Sequence, residues 1–76
     1  MWTLYVDVLD SDKKKYYVQE YGLDSRVTCE AKYIEVKSKL LIWQRVTQAY
    51  AIGPNEEKIV FKKFPDDIYS VWEDLV

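Results

Sequence analysis

The chain contains no histidine, and among its 76 residues there are one cysteine, two glycines and two prolines. Each shortage removes a class of chemistry. Without histidine there is no commonest general base, no usual metal ligand and no Ser-His or Cys-His nucleophile pair. The lone Cys29 can form neither an internal disulfide nor a thiolate zinc site within one chain. Gly22 and Gly53 are too few and too far apart for a phosphate loop or a dinucleotide fingerprint. No apolar run approaches the roughly 20 residues of a membrane-spanning helix, so membrane insertion is not expected. The sequence thus predicts a protein that is not an enzyme and needs neither cofactor nor metal.

What the chain has in excess is aromatic surface: three Trp, seven Tyr and two Phe. Each can cover roughly 150–250 Å², so twelve either complete a small core or leave some rings outside as contact surface. A chain of this length is one domain, residues 1–76, and buries only about 60–65% of the surface its unfolded form exposes. The net charge of −2 gives no general pull toward nucleic acid or anionic lipid. Its distribution is uneven: −2 over residues 1–24, +3 over 25–53 and −3 over 54–76. A single thiol and a charged, short-apolar N-terminus without signal-peptide character predict a cytoplasmic protein.

Trp2, Leu4, Val6 and Val8 alternate with Thr3, Tyr5 and Asp7, the period-two pattern of a half-buried strand. Asp10-Ser11-Asp12 supplies turn chemistry, Lys13-Lys14-Lys15 keeps the tip in water, and Tyr16–Tyr21 returns as a second strand closed by Gly22. Val27–Tyr33 alternates again, with Cys29 on its apolar side as a small buried hydrophobe. A phase slip at Tyr33-Ile34 then suggests a bulge. A helix over residues 25–39, with Val27, Ala31 and Ile34 on one stripe, is the competing reading, set against the strand preference of its Val, Thr, Tyr and Ile.

Leu40–Ile52 reads as a long strand or two strands in line, Gly53-Pro54-Asn55 as a break, and Lys58–Phe64 as another strand. Beyond Pro65, residues Ile68, Val71, Trp72 and Leu75 share one helical face, and Asp66-Asp67 suit a helix N-terminus. The expected fold is mainly β: a small antiparallel sheet or partly open barrel of four to five strands with a short C-terminal helix, becoming α+β if residues 25–39 are helical. So many strands in so short a chain leave edges, guarded by lysines or paired with a second copy, which makes a homodimer an expectation to test.

Two clusters stand out as partner-binding candidates. Tyr16, Tyr17 and Tyr21, with Tyr5, put four tyrosines on the two short strands of the first hairpin, too many to bury on one side, and tyrosine on an outer face suits protein contacts. The tail holds Asp66, Asp67, Tyr69, Trp72, Glu73 and Asp74, and from residue 64 onward four acids and no base. Aromatics among carboxylates suit a basic surface on another protein, with the ring as anchor and the acids steering approach. The plainer reading is that the apolar face covers the sheet while the acids meet water.

Lys32, Lys37, Lys39 and Arg45 with Tyr33 and Trp43 form at most a weak stacking platform for single-stranded nucleic acid, because both rings are expected in the core. A very short chain, rich in Tyr and Trp and lacking catalytic groups, is similar in type to small phage-encoded proteins that bind and inhibit bacterial machinery. That resemblance rests on no quoted motif. It implies a small non-enzymatic protein–protein interaction module, an inhibitor or adaptor on a larger bacterial complex. The alternatives are a nucleic-acid-binding small β-barrel and a purely structural, self-assembling subunit.

Replacing Tyr69 and Trp72 together by alanine tests the tail. If it covers the sheet, the cooperative thermal transition is lost. A preserved melt with a lost partner assigns it to an interface, and unchanged folding with unchanged binding contradicts both accounts.

Overall fold

The computed structural model describes residues 1–63, so the expected C-terminal helix lies outside the described residues. Within them the order is β1 (Trp2–Asp10), β2 (Lys15–Leu23), α1 (Arg26–Ser38), β3 (Gln44–Ile52) and β4 (Lys58–Lys62). The four strands form one open antiparallel sheet in the order β2-β1-β3-β4.

The first hairpin follows directly from its alternation. β1 and β2 pair without a break from Trp2 opposite Leu23 to Asp10 opposite Lys15. The turn is fastened by the Asp10 carboxylate, which accepts the Lys13 backbone N–H at 2.9 Å, an aspartate closing its own turn. This leaves Leu4, Val6 and Val8 on one face, all completely buried.

That face is covered by α1, which corrects the expectation of a strand over Val27–Tyr33. Two local features outweigh the β-branched residues. Ser25 caps the helix, accepting from the Thr28 N–H, while the Thr28 hydroxyl oxygen accepts from the Ser25 N–H, so two orphan donors of the first turn are satisfied reciprocally. Cys29, Tyr33 and Val36, at i, i+4 and i+7, then form the buried stripe. The face expected for a helical alternative was also wrong, since Val27, Ala31 and Ile34 lie on the exposed side. Cys29 is buried as expected, but on a helix.

β3 is antiparallel to β1, so α1 carries the chain from one side of the central strand to the other. Ala49 and Ala51 sit opposite Val6 and Leu4, and their small side chains leave room for α1 over the middle of the sheet. Tyr33 then stacks on Phe61 of β4, with ring centroids 5.3 Å apart. A register shift between Asp7 and Val8 in the β1–β3 pairing marks a bulge at Thr47. The long strand expected from Leu40 begins only at Gln44, because Leu40 and Leu41 are irregular and residues 42–43 form a turn closed by the Gln44 N–H on the Leu41 carbonyl. Trp43, expected in the core, is exposed.

Gly53 closes the bottom of the β3–β4 hairpin against the first residues of β1. A Cβ there would collide with the Glu57 carboxylate and come within 2.9 Å of the Trp2 ring. Gly53→Ala is expected to cost about 1–3 kcal/mol, the range of local overpacking. Chemical denaturation checks this through a lowered midpoint at unchanged slope; an unchanged midpoint contradicts the close approach.

Candidate functional site

The sheet's two faces divide the tyrosines singled out in the sequence. Tyr16 lies on the face away from α1, while Tyr17 and Tyr21 point to the α1 side, so β2 does not gather them into one patch. Tyr16 belongs to a polar cluster on the open face. Its hydroxyl donates to the Asp7 carboxylate at 3.3 Å and accepts from Thr47 at 2.8 Å, and Gln48 Nε2 donates to the same Asp7 oxygen at 3.4 Å. Asp66, Asp67, Tyr69, Trp72, Glu73 and Asp74 lie outside the described residues.

The open face also bears on nucleic-acid stacking. Tyr5 and Tyr50, side by side on the two central strands, stack on each other with centroids 5.1 Å apart, and the Lys58 ammonium lies 4.7 Å from the Tyr50 ring centre. Tyr50 therefore already has a ring and a cation as neighbours. On the other side of the sheet Tyr33 packs in the core. Neither ring offers the free π-face that base stacking uses, whereas Trp43, the other ring of the expected platform, is exposed.

Among the described residues, the strongest unpartnered feature lies where the sequence predicts the interior of a strand. Between α1 and β3, Leu41, Ile42 and Trp43 are 50%, 96% and 42% exposed. Three consecutive large apolar side chains in water run against the usual hydrophobic-in rule, and such residues mark contact sites when they cluster. Four hydrogen bonds hold the turn. Gln44 N–H donates to the Leu41 carbonyl at 2.9 Å, and the Gln44 side-chain oxygen accepts from the Leu41 N–H at 3.0 Å. From the other side, the Ser11 N–H and hydroxyl both donate to the Trp43 carbonyl, at 2.9 and 2.8 Å. Gln44 Nε2 also reaches the Asp10 carboxylate at 3.0 Å and the Tyr17 hydroxyl at 3.3 Å. The apolar turn is thus tied to the ends of β1 and β2.

Shallow clefts flank this turn. One is lined by Leu9, Ser11, Ile42, Trp43 and Arg45; the other by Leu40, Leu41, Val46, Tyr33, Lys37 and Lys62 among its walls. Their charged lining residues are Lys37, Arg45 and Lys62, and no described acid lines either cleft. Among the described residues these clefts are lined by basic charges alone, although the whole chain carries a net charge of −2.

The nearby carboxylates differ in the work they do. Hydrogen bonds from Lys13 and Gln44 hold the Asp10 carboxyl below the usual carboxylate range. Burial pushes the Asp7 carboxyl up, partly offset by the bond from Tyr16. Burial likewise pushes the Cys29 thiol up, which disfavours the reactive thiolate. Among the described residues no cluster of three or more His, Cys, Asp or Glu could hold a metal ion, and no helix is long and apolar enough to cross a membrane. No protein-family model, curated protein or solved structure matches this chain.

The opposed shifts give opposite pH behaviour. Asp10, lowered on folding, contributes stability that is full above about pH 4 and is lost as pH falls through its folded value. Asp7, raised on folding, contributes stability at low pH that is lost as pH rises through its folded value. Asp7→Asn is therefore expected to raise the melting temperature at pH 7. Asp10→Asn is expected to lower it and to flatten the acid limb below pH 4. Thermal melts from pH 2 to 7 check both, and shifts of the same sign at pH 7 contradict the assignment.

Proposed function

We propose that this protein is a non-enzymatic binding module that acts by stoichiometric protein–protein contact, as an inhibitor or adaptor on a larger complex. Ile42 is the anchor, Leu41 and Trp43 extend the apolar contact, and Lys37 and Lys62 form its basic rim. The partner surface is a protein pocket, apolar at its centre and acidic around it. The observation that carries this reading is a 96% exposed isoleucine at the crest of a turn held by hydrogen bonds on both sides. An anchor already fixed in place loses little freedom on binding, so more of its buried area is realised as affinity. Basic rim groups facing acidic ones raise the association rate and orient the encounter. The site differs from the tyrosine cluster expected from sequence, whose Tyr17 and Tyr21 pack against the core; the tail cluster lies outside the described residues. A buried, unreactive Cys29 with no disulfide partner is compatible with a cytoplasmic setting.

Affinity capture from host lysate, with and without nuclease, tests the reading when three versions are compared. These are wild type, Ile42→Asp, and Val27→Asp on the exposed side of α1. Wild type and Val27→Asp are expected to retain the same nuclease-resistant partner, and Ile42→Asp to lose it by about thirtyfold or more, the scale of a central hot spot. Circular dichroism is expected to leave all three folds alike. Equal capture by Ile42→Asp overturns the site. Partners that vanish with nuclease replace it with nucleic-acid binding, and an empty capture replaces it with self-assembly.

A further inference from the structure

The two outer edges of the sheet are managed differently. β4 is five residues long, its pairing with β3 is broken by a register shift between Ala49 and Tyr50, and it carries Lys58 and Lys62 with Lys63 just beyond. Shortness, a bulge and lysines are the usual protections of an exposed edge. β2 has none of them along its middle. It runs nine residues in unbroken register with β1, contains no proline, and between its ends carries one charged side chain, Glu20. Among the described residues no strand pairs with its outer side. One residue before its centre, Val18 is 56% exposed on the open face.

We infer that the outer edge of β2 is an interaction surface for a second copy of this chain, pairing antiparallel with itself about a two-fold axis at Val18. The symmetry fixes most of the geometry. A two-fold axis perpendicular to the sheet keeps both copies of α1 on one face and yields a continuous eight-stranded sheet with no mismatch of faces. Centring on Val18 places that valine beside its own copy, Tyr17 opposite Gln19, Tyr16 opposite Glu20, and Lys15 opposite Tyr21. Centring one residue later would instead set the exposed valine against the Glu20 carboxylate.

Charge favours the same arrangement. The hairpin's basic tip, Lys13–Lys15, lies at one end of β2, and Glu20 and Asp24 lie toward the other. Antiparallel self-pairing brings each basic end to the other copy's acidic end. Parallel pairing would align like with like.

Sedimentation equilibrium over a wide concentration range tests the surface, together with three variants. Wild type is expected to pass from one chain to two as concentration rises. Val18→Lys puts two ammonium groups on the axis and is expected to weaken the dimer about tenfold without altering the melt of the dilute protein. Val18→Cys is expected to give a covalent dimer on oxidation. Glu20→Cys is not, because its two copies would stand about 14 Å apart. Wild type, whose thiol is buried, controls for Cys29. Ile42→Asp is expected to dimerise like wild type, which separates this edge from the exposed turn. A monomer at every concentration overturns the inference. So does a dimer indifferent to Val18→Lys, or crosslinking of Glu20→Cys equal to that of Val18→Cys.

Discussion

The whole structure depends on one constraint, the position of β1 between β2 and β3. With β3 it is one of two strands that find hydrogen-bonded neighbours along both edges, and its Leu4, Val6 and Val8 are the floor on which Cys29, Tyr33 and Val36 of α1 rest. A domain this small has few apolar residues to bury, so the strand placed centrally must carry most of them. The end of β1 has a second task. Asp10 and Ser11 leave it to hold the hairpin turn on one side and the turn at residues 42–43 on the other. The core and the exposed apolar turn are therefore organised by the same strand and the residue that follows it.

Asp10, Gln44 and Ser11 show how this link is made. None of them is apolar, yet together they anchor the chain where α1 ends and β3 begins. Gln44 reaches the Asp10 carboxylate, the Tyr17 hydroxyl and the Leu41 N–H at once. This satisfies polar groups at a crowded junction, as buried or half-buried groups require. The consequence is that Ile42 projects into water from a fixed base. A loop tethered only at its ends would have let these three side chains fold back onto the sheet.

Legibility in the sequence followed the physical signal. The first hairpin was readable because its apolar residues keep strict period two and its turn chemistry is local. β4 was readable for the same reason, with Ile59 and Phe61 on one face. The helix α1 was misread because Val27, Cys29, Ala31 and Tyr33 alternate with Thr28, Glu30 and Lys32, and its Val, Thr, Tyr and Ile favour strands. Yet Val27, Thr28 and Ile34 are surface positions, where tertiary contacts do not reward them. The informative signals were the Ser25–Thr28 cap and the narrower stripe of Cys29, Tyr33 and Val36. The binding turn was hidden by the same rule that makes cores readable: Leu41, Ile42 and Trp43 look like strand interior, and only the fold reveals that they face solvent. The tyrosines of the first hairpin were too many for one side, but sequence could not show that Tyr17 and Tyr21 are the ones that line the α1 side.

The most direct test of this account is amide hydrogen exchange of the free protein, read at Ser11 and Gln44, whose N–H groups donate to the Trp43 and Leu41 carbonyls. If the exposed turn is held by the end of β1, both amides exchange as slowly as those in the interior of β1 and β3. Exchange at the rate of an unprotected loop would show that the turn has no fixed form, and Ile42 would then lose its standing as an anchor placed ahead of binding.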